Sequence, residues 1–379
     1  MTPPEPPSLP SLATVPVVGA GEVLARPADA LVIDLRTPAE FADDHLPGAV
    51  NVPLLDDAGR ALVGLAYTQE SPEAGFRHGQ ALIEGRIDDL VRQVGELAGW
   101  QPPALDPVDV VRAATAEGIE ALDARVAPES GVALRPGTVV LHCWRGGLRS
   151  RSVVGLLRAL GLERAVGLEG GYKAYRTAVR SELDAWPGAP TFVLRGLTGV
   201  GKTLVLRELA RLRPDWVLDL EGCAGHRSSL LGMVGLEPTS QKTFESLLAA
   251  RLRHRPEGPL VLEGESRKVG DVIIPPALWG ALDSGTNLLL EADVERRIQV
   301  LAEDYLARPS AIPLLKEQLL AVQERMGGER DLPGLLDAGE IDALVGDLLV
   351  NYYDPLYRHS EKGRDYATRV DSKIGRAHV

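Results

Sequence analysis

The stretch TVVLHCWRGGLRSRSVVGLLRALG, residues 138–161, decides how the first half of the chain folds. TVVLHC (138–143) is a short apolar run of strand length. SRSVVGLLRALG (150–161) sets Val153, Val154, Leu156, Leu157 and Leu160 at helical spacing. Strand, loop and helix in that order form the repeating unit of a parallel α/β sheet. ALVIDL (30–35) and RAVGLEGG (164–171) read as further strands of it. The connecting loop holds Cys143, two glycines, Arg145 and Arg149, with Arg151 just beyond. Such a loop lies at the carboxyl edge of the sheet, where α/β proteins bind ligands. A helix starting near Arg149 or Ser150 points its free N–H groups back at the sulfur. With Arg145 and Arg149 these favour a thiolate, which can attack sulfur or selenium or carry either atom. An inert packed cysteine, the usual fate of a free thiol, has no use for such flanking residues.

A second strand series follows: TFVLRG (191–196), WVLDLEG (216–222), PLVLEGES (259–266) and NLLLEAD (287–293). Its first member runs into GLTGVGKT, residues 196–203, which fits G-x-x-x-x-G-K-[ST] between a strand and an amphipathic helix. The backbone of Gly196, Thr198, Gly199, Val200 and Gly201 is placed to wrap a phosphate. Lys202 would reach the outer oxygens, and the Thr203 hydroxyl would meet Mg²⁺ if one accompanies the phosphate. The motif reports polyphosphate, not adenine. Glu263 and Glu265 end one strand, and Asp219 and Glu221 follow another; any could hold a metal or its water, or be an ordinary charged strand end. Arg227, Arg267 and Lys268 lie on loops of the same edge and suit phosphate contacts, with solvated surface cations as the plain alternative; His226 reads as an acid or base near neutral pH or as a structural histidine. Cys223 reads as a packing residue, with a second chemical thiol as the rival reading. Tyr352, Tyr353 and Tyr357 can stack on bases, although packing at a helix end is the reading we favour.

The chain has 379 residues, 45% hydrophobic and 25% charged, the composition of a globular protein of two or three domains. Its net charge of −12 argues against general nucleic-acid affinity, yet Leu141–Lys268 carries 20 basic against 13 acidic residues. A basic middle in an acidic chain suits an anionic ligand, though scattered surface charge gives the same count. Residues 1–14, acidic and proline-rich, read as a disordered lead-in without signal-peptide character. Two cysteines in such a composition are expected to stay thiols, and no apolar run approaches ~18 residues, so a cytoplasmic protein without a membrane span is expected. The expected organisation is a parallel-sheet domain at 15–185, a linker at 184–190 and a P-loop α/β domain at 190–293. A helical region at 294–370 completes it. Within 99–137, PVDVVRAATAEGIEALDARV (107–126) reads as helix. IGRAHV (374–379) resembles a translated sequencing adapter and is set aside.

CWRGGLR resembles the active-site loop of a rhodanese domain. VIDLRTPAEFADDHLPGAVNVPL (32–54) is similar to the rhodanese N-terminal signature, and LEGGYKAYR (168–176) to its closing strand and turn. On that resemblance Asp34 and Arg36 are structural residues or an internal ion pair. A rhodanese-like domain followed by a P-loop domain resembles the bacterial tRNA 2-selenouridine synthase family. LDLEGCAGHRSSLLG (218–232), SQKTFESLLAA (240–250), LEGESRKVG (262–270), YYDPLYR (352–358) and VGLAYTQESPEAGFRHG (63–79) extend the resemblance over nearly the whole chain. One departure is Gly264, where the family pattern has an acid. The resemblance implies a transferase that replaces sulfur by selenium at C2 of wobble 2-thiouridine in the tRNA anticodon arm. Selenophosphate would be the donor, and an S-geranylated base made from geranyl diphosphate the intermediate. It implies substrates rather than a tightly bound cofactor, and it allows a selenophosphate-producing enzyme as partner. Cys143 with Arg145 and Arg149 would handle selenium, and residues 196–203 the diphosphate. The rival classes are an ATP-dependent kinase or NTPase with a rhodanese sensor domain, and a sulfur carrier. The first predicts nucleotide turnover, the second full activity in an isolated 1–185 fragment. The oligomeric state is not legible in the sequence.

Overall fold

The computed structural model describes residues 10–227, 236–253, 255–264, 266–306, 309–356 and 363–371. The expectations for residues 1–9 and 374–379, for Glu265 and for Tyr357 lie outside them. By its contacts the chain divides into two units, Met1–Ser181 and Glu182–Val379. Among the described residues no helix is long and apolar enough to cross a membrane.

The first unit is built on β1 (Val15–Val18), β2 (Ala30–Asp34), β3 (Val50–Asn51), β4 (Pro128–Glu129), β5 (Thr138–His142) and β6 (Ala165–Leu168). They form one sheet in the order β3-β2-β5-β6-β1-β4, parallel at every pairing. Every residue of β1, β5 and β6 is buried, the mark of parallel strands covered on both faces. The helices are α1 (Ala20–Ala25), α2 (Pro38–Asp43), α3 (Asp57–Gln69), α4 (Pro72–Glu84), α5 (Ile87–Ala98), α6 (Pro107–Thr115), α7 (Ile119–Arg125), α8 (Leu148–Ala159) and α9 (Gly171–Asp184). Three expectations are corrected. The helix over 107–126 is two helices, because Gly118 at φ 89° interrupts it. The strand over 164–171 stops at Leu168, and the glycine pair after it opens helix α9 rather than a strand and turn. That helix runs on to Asp184, into the stretch read as linker.

The signature over 32–54 folds around a buried ion pair. Arg36 and Asp34 are 1% and 0% exposed. The Arg36 guanidinium donates to both Asp34 carboxylate oxygens, at 3.0 Å from Nε and 2.6 Å from Nη2. It also donates to the Asp44 carbonyl at 2.7 Å and lies 3.7 Å from the centre of the Tyr172 ring. Asn51 Nδ2 donates to the carbonyls of Asp34 and Arg36, and the Tyr172 hydroxyl donates to Asp44 at 2.8 Å. Thr37 and Glu40 form a capping box with Pro38 at the first helical turn, which starts α2 where the pair ends.

In the second unit β7 (Thr191–Arg195) is followed by α10 (Lys202–Leu212), α11 (Leu220–Ala224), α12 (Gln241–Arg253) and β8 (Leu260–Glu263). The antiparallel pair β9 (Lys268–Val269) and β10 (Val272–Ile273) follows, then α13 (Pro276–Asp283) and β11 (Thr286–Glu291). The rest is α14 (Val294–Leu306), α15 (Ile312–Arg325), α16 (Leu332–Asp337), α17 (Ile341–Leu348) and β12 (Thr368–Asp371). The sheet order is β12-β11-β7-β8, again all parallel. The expected strand over 216–222 is reduced to one bridge, Val217 to Val261, because Asp219 caps a helix two residues later. The region after Val294 is helical around its own core of Leu319, Val322, Leu332 and Tyr353. It nevertheless ends in strand β12, an exposed TRVD segment without apolar alternation, which pairs with β11.

Removing one partner of a buried pair leaves the other charge uncompensated, which costs about 3–5 kcal/mol. Asp34→Ala is therefore expected to destabilise the first unit by about that much. Asp34→Leu with Arg36→Met should cost less than Asp34→Ala alone. Urea unfolding followed by circular dichroism checks the order.

Candidate functional site

Two places in the chain carry chemistry, one in each unit. In the first, β5 delivers Cys143 to the carboxyl edge of the sheet, and α8 begins at Leu148 with Gly147 as its N-cap, slightly earlier than the sequence suggests. The loop in between is closed by backbone. Tyr172 N–H donates to the Cys143 carbonyl at 3.0 Å, and Lys173 N–H to the Trp144 carbonyl at 2.9 Å. Gly146 (φ 62°) and Gly171 (φ 58°) meet at this contact. A Cβ on Gly146 would lie 2.6 Å from the Leu168 carbonyl oxygen, and one on Gly171 would run into the Cys143 carbonyl and the Gly146 nitrogen. The glycines of WRGGLR and LEGGY are thus one requirement, met from two sides.

Cys143 is only 3% exposed, deeper than a strand-tip thiol suggests. Burial pushes its thiol up. The charge of Arg149, the Ser150 hydroxyl and the N–H groups of Arg145 and Ser150 pull it down, and their sum prevails, so the thiol lies below its ordinary value. Ser150 Oγ is 3.2 Å from Sγ. This residue was not singled out from the sequence; its place on the first turn of the helix after the cysteine was the available signal. Arg145 acts through its backbone, and its side chain is exposed. Arg151 does not join the cradle: it pairs with Asp123 at 2.5 Å and donates to the Val126 carbonyl. Beneath the loop, His142 is 0% exposed with Nε2 3.6 Å from Asp34. Burial, against the pull of Asp34, lowers the pKa of its imidazole.

In the second unit β7 runs into residues 196–201, and α10 starts at Lys202 with Gly201 as N-cap. A Cβ at Gly199 would sit 2.8 Å from the Arg297 carbonyl, and one at Gly196 would strike the Leu290 carbonyl. Val200 is 3% exposed and pins the loop to the core. The Lys202 ammonium donates to the carbonyls of Gly196 at 3.0 Å and Leu197 at 3.4 Å. Thr203 is half-buried on the first turn of α10. No local motif signals the brace on this loop. Arg297 of α14, 3% exposed, donates from Nε to the Thr198 carbonyl at 2.8 Å. Its other nitrogens pair with both carboxylate oxygens of Asp354 at 3.1 and 2.5 Å. Asp354 belongs to YYDPLYR, so that block serves the phosphate loop, while Tyr353 is buried in the helical core.

The remaining sequence candidates divide. Glu263 ends β8 beside Leu194, is 3% exposed and borders the strand that enters the loop. Gly264 follows because Arg195 fills its space: a Cβ there would lie 2.5 Å from Arg195 Cδ. Asp219 is a helix cap, accepting from Gly222 N–H at 2.7 Å, and Glu221 lies in the first turn of α11. His226 lies against Gly270, and burial, reinforced by Arg227 and opposed by Asp271, lowers its pKa. Arg227 is half-buried and Arg267 exposed. Cys223 is packed at 9% exposure, its thiol pushed up to about 12 by burial and by Asp219. Among the described residues no three His, Cys, Asp or Glu side chains gather as a metal site.

A cysteine cradle on a parallel sheet and a phosphate loop on a second one define a rhodanese-like domain joined to a P-loop-type domain. The family profile of the rhodanese-like domain matches residues 20–79, and that of the tRNA 2-selenouridine synthase AAA domain matches residues 189–330. Proteins described as tRNA 2-selenouridine synthase are similar along their length. That of Chromohalobacter salexigens is 31% identical, covering 91% of this chain and 90% of its own. That of Cupriavidus necator is 33% identical, covering 88% and 89%, and that of Pseudomonas syringae pv. syringae 32%, covering 90% and 91%. The chain belongs to the tRNA 2-selenouridine synthase family.

Cys143 should react with iodoacetamide at a pH below that of an ordinary thiol, while Cys223 stays unmodified in the folded protein. Arg149→Ala removes the largest influence opposing burial and should move the Cys143 midpoint upward, Ser150→Ala less so. Peptide-mapped alkylation rates against pH test this, and unchanged midpoints in both variants would refute the cradle.

Proposed function

We propose that the chain is a tRNA-modifying transferase that replaces sulfur by selenium at C2 of the wobble 2-thiouridine in the anticodon arm, with selenophosphate as donor. Family membership over nine-tenths of the chain supports the reaction. The observation that supports the site is the buried Cys143 sulfur, whose thiol lies below its ordinary value because Arg149, Ser150 and loop N–H groups outweigh burial.

The chemistry divides into two redox-neutral steps. First, the thiouridine sulfur attacks C1 of geranyl diphosphate; the C–O bond breaks and diphosphate leaves. The backbone of residues 196–201 and Lys202 receive the diphosphate, and a helix N-terminus stabilises the charge that builds on it. Should Mg²⁺ accompany that group, Thr203 and Glu263 would be its oxygen donors. Second, the selenium of selenophosphate attacks C2, the C2–S bond breaks and geranyl thiol leaves, after which water cleaves the P–Se bond and frees phosphate. A thioether sulfur is a better leaving group than a thiocarbonyl sulfur, which gives the first step its purpose. Cys143 and Arg149 assist delivery of selenium to C2 in the second step, with Arg145 at the rim. A selenophosphate-producing enzyme is the natural supplier.

Cys143→Ser should abolish selenation of 2-thiouridine tRNA and leave geranylation; loss of both contradicts the division. Lys202→Ala should lower geranyl-diphosphate use by roughly the 10²–10³-fold typical of losing one charge-stabilising donor. Mass spectrometry of nucleosides from tRNA treated with each variant decides both.

A further inference from the structure

The Cys143 loop presents an aromatic side chain that the proposed chemistry does not use. Trp144 follows the cysteine directly, and its carbonyl is fixed by Lys173 N–H at 2.9 Å. Its indole leans on the Tyr172 ring, 5.2 Å between centres and tilted by 38°. Tyr172 in turn lies 5.9 Å from the Tyr175 ring and carries the Arg36 guanidinium 3.7 Å from its own ring centre. Tyr172 and Tyr175 are 2% and 0% exposed, whereas Trp144 is half-buried. Of the three rings, Trp144 alone keeps surface for a ligand, and the buried pair supports it from within.

Cations without carboxylate partners flank that ring. Elsewhere in the first unit Arg26, Arg86, Arg92, Arg112, Arg125 and Arg151 each pair with a carboxylate. Among the described residues Arg145, Arg149, Lys173 and Arg180 have no such partner. Arg145 is the chain neighbour of Trp144, and Arg149 acts on the sulfur beside it. Lys173 adjoins it through the backbone bond, and Arg180 stands two turns, about 10 Å, further along α9. Lys173, Thr177 and Arg180 are exposed at helical spacing and share the outer face of α9, whose inner face buries Tyr172, Tyr175, Arg176 and Val179. An aromatic platform beside unpaired cations is the way proteins hold an unstacked base and its phosphates.

We propose that the Trp144 indole is the platform on which the target base stacks beside the Cys143 sulfur, and that Lys173 and Arg180 hold phosphates of the same strand. The inference rests on the reading of the substrate as a tRNA anticodon arm. Chemistry on a base needs that base out of its stack, and a freed ring loses its alignment with the reacting atom unless the protein grips it. Stacking grips one face of the ring. The opposite face stays open to selenium, which approaches C2 from outside the ring plane.

A thermodynamic cycle between protein and RNA tests the platform. Fluorescence anisotropy measures binding of a labelled anticodon stem-loop to the full-length protein, once with 2-thiouridine at the wobble position and once with an abasic site there. The abasic change should weaken binding to the parent about tenfold or more, and to Trp144→Ala no more than about twofold. Trp144→Phe, which keeps a ring against Tyr172, should restore most of the discrimination. Equal abasic losses in the parent and Trp144→Ala overturn the platform. If the Cys143 alkylation midpoint has also risen in Trp144→Ala, the indole only holds the loop. Lys173→Ala and Arg180→Ala should weaken both RNAs alike and each lower the slope of log affinity against log salt by about one. Unchanged slopes in both variants overturn the phosphate contacts. A parent that binds the 2-thiouridine stem-loop no tighter than an unrelated hairpin refutes the substrate reading and the platform with it. Tight parent binding with equal abasic losses refutes the platform alone.

Discussion

A sulfur as buried as Cys143 can carry negative charge only if the surroundings replace the water it has lost. Here Arg149, the Ser150 hydroxyl and backbone N–H groups of the loop do so. That arrangement depends on Gly146 and Gly171 meeting backbone to backbone, with Tyr172 and Lys173 hydrogen-bonded to the loop. Tyr172 then passes the constraint on. Its ring covers Arg36 and its hydroxyl holds Asp44, tying the cysteine loop to the buried pair at the end of β2. The three separate sequence blocks meet in one physical feature, a continuous polar network beside the Cys143 loop.

The phosphate loop is held by a different device. Its shape comes from glycines that let carbonyls of β11 and α14 approach, and its position from Arg297, itself fixed by Asp354. A buried arginine that donates to a loop carbonyl and pairs bidentately on its other side has little freedom. The loop's backbone is therefore set in advance of any ligand, a preorganisation that suits an anion site. The helical region after β11 is more than an appendage, since it supplies both members of this brace.

Much of this was legible in the residue order. TVVLHCWRGGLR placed a cysteine at the carboxyl end of a buried strand, and GLTGVGKT placed a phosphate loop after another, because both motifs are local: strand, turn and helix start lie within about a dozen residues. The parallel α/β class followed from apolar runs of strand length alternating with helical spacing. What depended on distant residues was not legible. Ser150 rather than Arg151 faces the sulfur because the helix starts at Leu148 and turns Arg151 toward Asp123. WVLDLEG could not declare itself a bridge and a helix, since the Asp219 cap and the apolar run point opposite ways. Strand β12 carries no apolar signal, and only pairing with β11 makes it a strand. The pairing of Arg297 with Asp354 joins residues tens of positions apart. By itself the sequence determined where the cysteine loop and the phosphate loop lie; tertiary packing alone decided what braces them, because side-chain partners belong to the assembled core and to no single segment.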